Sequence, residues 1–214
     1  MNQNDRIIEM FNKYAKAYQD KFMEKDTFHG TFDLFCELVE KKNARILDIA
    51  CGPGNISKYL LNKRPDFKLL GIDLSDKMIE LAKINNPSAD FQLIDGRDIS
   101  QFRNKYDGIV AGFILPYLSK EETIKLIHDA ANILEENGVL YLSTMEDDYS
   151  KSGLKGGSSN PEEKLYIHFH EVDYLRQALK ENNFDIIDEQ RKDYPETDGS
   201  ITIDLVLLAK KEVA

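Results

Sequence analysis

The sequence predicts an α/β fold: a doubly wound, mostly parallel sheet of seven strands, the last antiparallel, with helices on both faces and an N-terminal helical cap. Three observations carry this. From residue 44 to residue 144, short apolar runs alternate with segments of helical period, the pattern of a parallel sheet covered on both sides. The first apolar run, "ILDIA", passes directly into a glycine turn, "CGPGN". The chain closes on two strand-like segments, "FDIIDEQ" and "ITIDLVLLAK". Their connection is too short for a crossover helix, so they pair antiparallel.

Taken in order, the first 43 residues read as helical. In "DRIIEMFNKYAKAYQDKF" apolar or aromatic residues recur at 7, 8, 11, 14, 15, 18 and 22, and "TFDLFCELVEKKN" repeats the stripe and stops at Asn43. "ARILDIA" is a first strand, continuous but for Asp48, and "ISKYLLNKR" is a helix ending before Pro65. "FKLLGI" is a second strand closed by Asp73, after which Ser75 can cap the helix "DKMIELAKIN". "DFQLI" is a third strand before the polar cluster Asp95-Gly96-Arg97-Asp98, and "YDGIVAGF" is a fourth. Ser119 and Glu122 fit a capping box for "KEETIKLIHDAANILEE", which Asn137-Gly138 should end ahead of a fifth strand, "VLYLST". The glycine- and serine-rich run from Ser150 to Ser159 is expected as a mobile loop, able to act as a lid at the edge of a site. "YIHFH" and a helix, "EVDYLRQALKENN", precede the last two strands. In the final strand Ile201, Ile203, Leu205 and Leu207 should face one way. One domain results, with a cap (1–43), a core (44–144) and a closing segment (145–214).

With 214 residues, 42% apolar and 31% charged, the composition is that of a globular domain. Acidic residues outnumber basic ones 38 to 28, a net charge of −10, and no Lys/Arg block exceeds a pair such as Lys41-Lys42. A phosphate-neutralising surface is therefore not expected, and neither is a nucleic-acid partner. The longest apolar stretch, "GIVAGFILPYL", is too short to span a bilayer, and the polar N-terminus lacks a signal h-region, so no membrane association is expected. Cys36 and Cys51 form neither a disulfide framework nor zinc spacing. A reducing cytoplasm and no metal site follow, with a monomer or homodimer as the expected state.

Ligands of open α/β sheets bind beyond the carboxyl ends of the strands. There Gly52 and Gly54 let backbone N–H groups approach a ligand, and the next helix adds its partial positive charge. A dinucleotide fingerprint wants a third glycine three residues on, and Ser57 occupies that place. Asp48 lies inside an apolar strand, where an unpaired carboxylate is costly, and so belongs near a donor-rich loop or a cationic ligand group. Asp73 ends the second strand, 19 residues after Gly54, where a carboxylate can accept both hydroxyls of a ribose. Asp95 ends the third and could accept from an exocyclic amine. Three acids around one ligand, with no cation offered to it, favour a nucleoside bearing amine or cationic groups over a polyphosphate.

This constellation resembles the class I S-adenosylmethionine-dependent methyltransferases, small-molecule branch, over Ala44 to Thr144. "LDIACGPG", "GIDLS" and "IDGRD" resemble the first three motifs, and "YDGIVAGFILPYL" and "LEENGVLYLST" the fourth and fifth regions. The resemblance implies S-adenosyl-L-methionine as cofactor. Asp48, Ala50 (where a glycine is more usual), Gly52 and Gly54 would line its methionine moiety, and Asp73 its ribose. Leu74, Asp95 and Gly96 would lie against the adenine, Met78 would also belong to the cofactor site, and Ala111 to Phe113 would lie beside the methyl sulfonium. No Asn/Asp-Pro-Pro-Tyr/Phe motif follows the fourth strand and no Pro-Cys pair occurs, which points away from DNA and RNA methylation and toward a small-molecule acceptor. Candidate catalytic residues are His168 and His170, which share a face with Tyr166 if "YIHFH" is extended, and Tyr18 in the N-terminal helix beside Tyr14. Phe113, Pro116 and Tyr117 are candidates for an apolar pocket wall. The alternatives are an NAD-dependent oxidoreductase, which leaves Asp48 and Asp95 unexplained, a non-catalytic S-adenosylmethionine-binding regulator, and methylation of a basic peptide.

Overall fold

A computed structural model describes residues 3–156, 163–195 and 199–213. Its centre is a seven-stranded sheet in the order β3-β2-β1-β4-β5-β9-β8. The strands are β1 (Arg45–Ile49), β2 (Lys68–Asp73), β3 (Asp90–Leu93), β4 (Tyr106–Gly112), β5 (Leu134–Glu146), β8 (Phe184–Pro195) and β9 (Ile201–Lys211). The first five pair in parallel, and β9 runs antiparallel to both β5 and β8. In a separate two-stranded sheet β6 (Gly153–Gly156) pairs antiparallel with β7 (Lys164–Ile167). Among the described residues six α-helices surround the sheet: α1 (Gln3–Phe22), α2 (His29–Leu38), α3 (Asn55–Lys63), α4 (Asp76–Asn85), α5 (Lys120–Ile133) and α6 (Val172–Glu181). Ser75 caps α4, and Ser119 with Glu122 forms the capping box of α5. Among the described residues no helix is long and apolar enough to cross a membrane.

The sheet is buried on both faces. Leu47, Ile49 and Ile109 belong to one core with α5 and α6, while Ile46, Val110 and Tyr141 belong to another with α2 and α3. β9 lies between two strands and shares this fate. Leu205 and Leu207 enter the first core together with Ala209, in line with the expected alternation, and Val206 and Leu208 enter the second, whereas Ile201 and Ile203, paired with Pro195 and Asp193 at the start of β9, are exposed. Burial of the intervening positions suits an interior strand.

Two helices end earlier than their periodicity suggests, each for a tertiary reason. α2 stops at Leu38 rather than Asn43, because the Arg64 guanidinium donates to the carbonyls of Cys36, Val39 and Lys41 at 3.0, 2.7 and 2.9 Å while Asp66 holds it from behind. α5 stops at Ile133 rather than at Asn137-Gly138. Lys211 Nζ donates to the carbonyls of Ala131 and Leu134 at 2.6 and 3.0 Å, and Leu134 already pairs with Tyr106. Cations from distant segments satisfy the last carbonyls in both cases. The run expected as a loop from Ser150 to Ser159 holds strand β6, whose backbone groups are paired by β7; its residues 157–159 lie outside the described set.

Candidate active site

The parallel strands carry their acids to one edge, and α1 lies across it. Beneath α1 is a cavity with an empty volume of about 820 Å³, part of it open to solvent. Its floor is Ala50 and Gly52 from the turn after β1, Asp73 and Leu74 from the end of β2, and Met78 from α4. Asp95, Gly96 and Arg97 close one end, and Gly112, Phe113 and Tyr117 form the wall after β4. The roof is Asn4, Ile7, Ile8, Phe11 and Tyr18 of α1. The helix is fastened along its length. Asn4 accepts from Arg97 at 2.6 Å, Asn12 from Ser75 at 2.5 Å and Gln19 from Asn85 at 2.8 Å, while Tyr14 donates to Glu163 at 2.9 Å.

The glycine turn is shaped by left-handed residues: Ala50, Gly52 and Gly54 have φ of 54°, 54° and 78°. Ala50 adopts a conformation that a glycine would reach without steric cost, and Phe113, at φ 55°, is the second non-glycine residue of the cavity in this region. A Cβ on Gly54 would fall 2.4 Å from Asn86 Nδ2 and 3.3 Å from Ala82, so this glycine serves the contact between α3 and α4 and does not reach the cavity. Asp73 is set by the turn itself. Its Oδ2 accepts the Gly52 N–H at 2.9 Å and its Oδ1 the Ser75 N–H at 2.8 Å, and burial still holds its carboxyl above the usual range.

Asp48 is fully buried under the first turn of α3. The Ser57 hydroxyl donates to its Oδ2 at 2.6 Å, and its Oδ1 has no partner. Burial, then the nearby Asp73 carboxylate, pushes it up to about 7. Ser57, where a third glycine would stand in a dinucleotide site, is thus the donor to the strand's acid. Asp48 and Ala111 lie behind the cavity wall rather than on it. The cavity also contains a cation not foreseen among its acids: Arg97, forked onto Asp95.

These features suit an amino-acid nucleoside. An orphaned acid oxygen lies behind the glycine turn, acids end two neighbouring strands, and Gly52 is open enough that its nearest neighbour to an added Cβ would be the Tyr18 ring at 3.8 Å. The methyltransferase domain family matches residues 21–189. The chain belongs to that family. That membership makes it a methyltransferase, and the dehydrogenase alternative is not favoured. The putative methyltransferase YqeM of Bacillus subtilis is 31% identical over 178 residues, 79% of this chain and 67% of that protein. The putative methyltransferase 235L of Invertebrate iridescent virus 6 is 31% identical over 100 residues, 47% of this chain; the chain spans 37% of its length. Among solved structures, magnesium protoporphyrin IX methyltransferase of Synechocystis PCC 6803, with S-adenosylmethionine bound, aligns at a TM-score of 0.69 and 19% identity over 99% of this chain and 98% of that one.

Of the residues singled out in the methyltransferase sequence, Tyr18, Ala50, Gly52, Asp73, Leu74, Met78, Asp95, Gly96 and Phe113 meet at the cavity. The two histidines do not. "YIHFH" is a strand only to Ile167, although its rings do gather on one side, with His168 4.8 Å from Tyr166 and 6.4 Å from His170 between ring centroids. His168 stacks on Tyr149 and shares a hydrogen bond with its hydroxyl at 3.1 Å. His170 is wholly buried: its Nε2–H donates to the Leu115 carbonyl at 2.8 Å, which leaves Nδ1 to accept from the Tyr174 hydroxyl. Burial lowers it to about 4. With its lone pair taken, His170 is a neutral staple between the wall after β4 and α6. His170→Ala should cost about 3 kcal/mol of stability from two lost buried hydrogen bonds and a cavity. Urea unfolding would measure this, and cofactor affinity should be unchanged. Because the native ring resists protonation, this staple is at full strength above the unfolded value of 6.5 and loses stability as the pH falls toward 4.

The roof residues Asn4, Ile7, Ile8 and Phe11 were not identified as site residues in the sequence. The stripe holding Ile7, Ile8 and Phe11 was visible, but its destination was not, and Asn4 lay outside it. Arg97 stood within the quoted "IDGRD", without a sign that its side chain folds back on Asp95.

Proposed function

We propose that this protein transfers the methyl group of S-adenosylmethionine to a small-molecule acceptor, releasing S-adenosylhomocysteine. The observation that carries the reading is the cavity at the carboxyl edge of the sheet, with Asp73 at its floor, Asp95 at one end and the apolar face of α1 as its roof. Asp73 holds the ribose hydroxyls, its orientation fixed by the Gly52 and Ser75 N–H groups. Asp95 meets the adenine amine, with Leu74 and Met78 against the ring. The turn at Ala50 and Gly52 receives the amino-acid end, with the buried Asp48 carboxyl behind it. Phe113, at the end of β4 and held by its N–H to Ser143 Oγ at 3.0 Å, faces the reacting end with Tyr18.

The cofactor supplies an activated methyl on a sulfonium that leaves by in-line displacement. The chain's task is to orient the acceptor within about 3 Å of that methyl and to keep water out. Tyr18 and Tyr117 are suited to this as neutral hydrogen-bonding groups: burial raises both phenols, Tyr117 to about 12, so neither serves as a base near neutral pH. An aromatic wall favours a flat or apolar acceptor over a polyanion. The net charge of −10 suits a chain acting away from nucleic acids, and two free cysteines suit a reducing, cytoplasmic setting, as a monomer or homodimer. A panel of phenols, amines, carboxylates and thiols of small size, with S-adenosylhomocysteine release as readout, tests the reading. Turnover with at least one member is expected. Turnover confined to basic peptides or RNA would contradict it.

A further inference from the structure

The aromatic lining of the cavity continues outward from the end held by Tyr18 and Phe113. The Tyr18 ring meets Phe22 at 4.5 Å between centroids, and Phe113 meets Phe28, just ahead of α2, at 5.3 Å. Tyr194, near the end of β8, lies close enough to Tyr18 to add to the burial that raises its phenol. Phe22, Phe28 and Tyr194 thus form a rim outside the cavity wall.

Two ammonium groups stand over this rim. Lys25 Nζ lies 4.2 Å from the centre of the Tyr194 ring and 5.4 Å from that of Phe22. Lys21 Nζ lies 5.1 Å from Phe22 and 6.0 Å from Tyr194. Lys25 is half-buried just beyond α1, its backbone N–H donating to the Phe22 carbonyl at 3.3 Å. Among the described residues its ammonium meets the two rings and no carboxylate. This is not for want of acids, since the chain carries 38 of them against 28 bases. The acids near these lysines in sequence are engaged elsewhere or left in solvent. Asp20 is bridged to Lys16 at 2.8 Å, Glu24 to Lys58 at 2.7 Å, and Asp26 is exposed. On β9 the buried Asp204 stands in register opposite Lys192. A ring face attracts an ammonium weakly, and a half-buried charge is best satisfied by an opposite charge that also accepts its hydrogen bonds.

Resting on the reading that a small molecule receives the methyl group in this cavity, we infer that the acceptor is a planar carboxylate: its flat body lies among the Phe22, Phe28 and Tyr194 rings, and Lys25, with Lys21 beside it, meets the carboxylate at the end remote from the accepting atom. A flat body gains stacked or edge contacts from three rings. A carboxylate supplies the charge that Lys25 lacks, whereas an acceptor bearing an ammonium at that end would face two like charges. Lys25 stands outside the cavity lining, so it sets which acceptor binds and takes no part in holding the cofactor.

The test uses acid and amide pairs of matched shape: 4-hydroxybenzoate and 4-hydroxybenzamide, 4-hydroxycinnamate and its amide, indole-3-acetate and indole-3-acetamide. Each is titrated by calorimetry into the full chain already saturated with S-adenosylhomocysteine. In the wild type at least one acid should bind about tenfold or more tightly than its amide. Lys25→Gln should reduce that preference to about threefold or less, Lys25→Arg should keep it, and Lys25→Glu should abolish it. Lys21→Gln should lower it by a smaller factor, and provides the answer should Lys25→Gln not fold. Lys58→Gln removes the same unit of charge from a lysine already paired with Glu24, and should leave the ratio as in the wild type. Affinity for S-adenosylhomocysteine should be equal in all these proteins. If no acid is preferred to its amide, or if the preference survives both Lys25→Gln and Lys21→Gln, the inference is overturned while cofactor binding stands. If the wild type does not bind S-adenosylhomocysteine, the cofactor reading fails and the inference falls with it.

Discussion

Asp73→Ala is expected to weaken S-adenosylhomocysteine binding by about 100-fold, the loss of roughly 3 kcal/mol when ribose hydroxyls lose a charged acceptor inside the protein. The effect has two parts. The ligand loses its partner, and the Gly52 and Ser75 N–H groups lose theirs, so the turn after β1 is no longer held in its ligand-ready form. Asp73→Asn keeps one carbonyl oxygen and should recover part of the affinity. Calorimetric titration of the three proteins separates these contributions. Equal affinity in wild type and Asp73→Ala would refute the ribose assignment.

Asp48→Asn is expected to change how stability depends on pH. The native Asp48 carboxyl lies at about 7 and its ordinary value is 3.8. Between about pH 4 and pH 7 the unfolded chain therefore gives up this proton while the native chain keeps it, and folding is penalised as the pH rises through that window. Below it the carboxyl is protonated in both states, and above it the penalty is constant. Three units amount to on the order of 4 kcal/mol. Asparagine does not titrate, so the stability of the variant relative to wild type should improve as the pH is raised from 4 to 7. A constant offset is also expected, since the amide must replace both the Ser57 contact and the unpaired Oδ1. Urea unfolding across the range gives the difference directly; a difference independent of pH would mean that Asp48 titrates normally.

Much of the cavity floor was legible because its residues are local to their strands. Apolar runs ended by Asp73 and Asp95 have only one edge of a parallel sheet on which to place those acids, and the glycines after β1 identify that edge. What the sequence did not reveal depends on contacts between distant segments. Arg64 ends α2 from 26 residues beyond its last residue, Leu38, and Lys211 caps α5 from the far end of the chain. Arg97 reaches both Asp95 and Asn4, and no spacing rule foretells the second partner. The histidines illustrate the opposite error. Their alternation placed the rings correctly on one side, but alternation says nothing about depth, and His170 is spent on Leu115 and Tyr174. Ser57 was noted as an absence, the missing third glycine, and proves to be a presence, the hydroxyl that holds Asp48.

The central claim is that the cavity beneath α1 is the seat of an amino-acid nucleoside and not of a dinucleotide. Titration of the intact chain with S-adenosylhomocysteine and, separately, with NAD addresses it most directly. Saturable one-to-one binding of S-adenosylhomocysteine, with no heat from NAD, is the predicted result. Binding of NAD with none of S-adenosylhomocysteine would contradict the account.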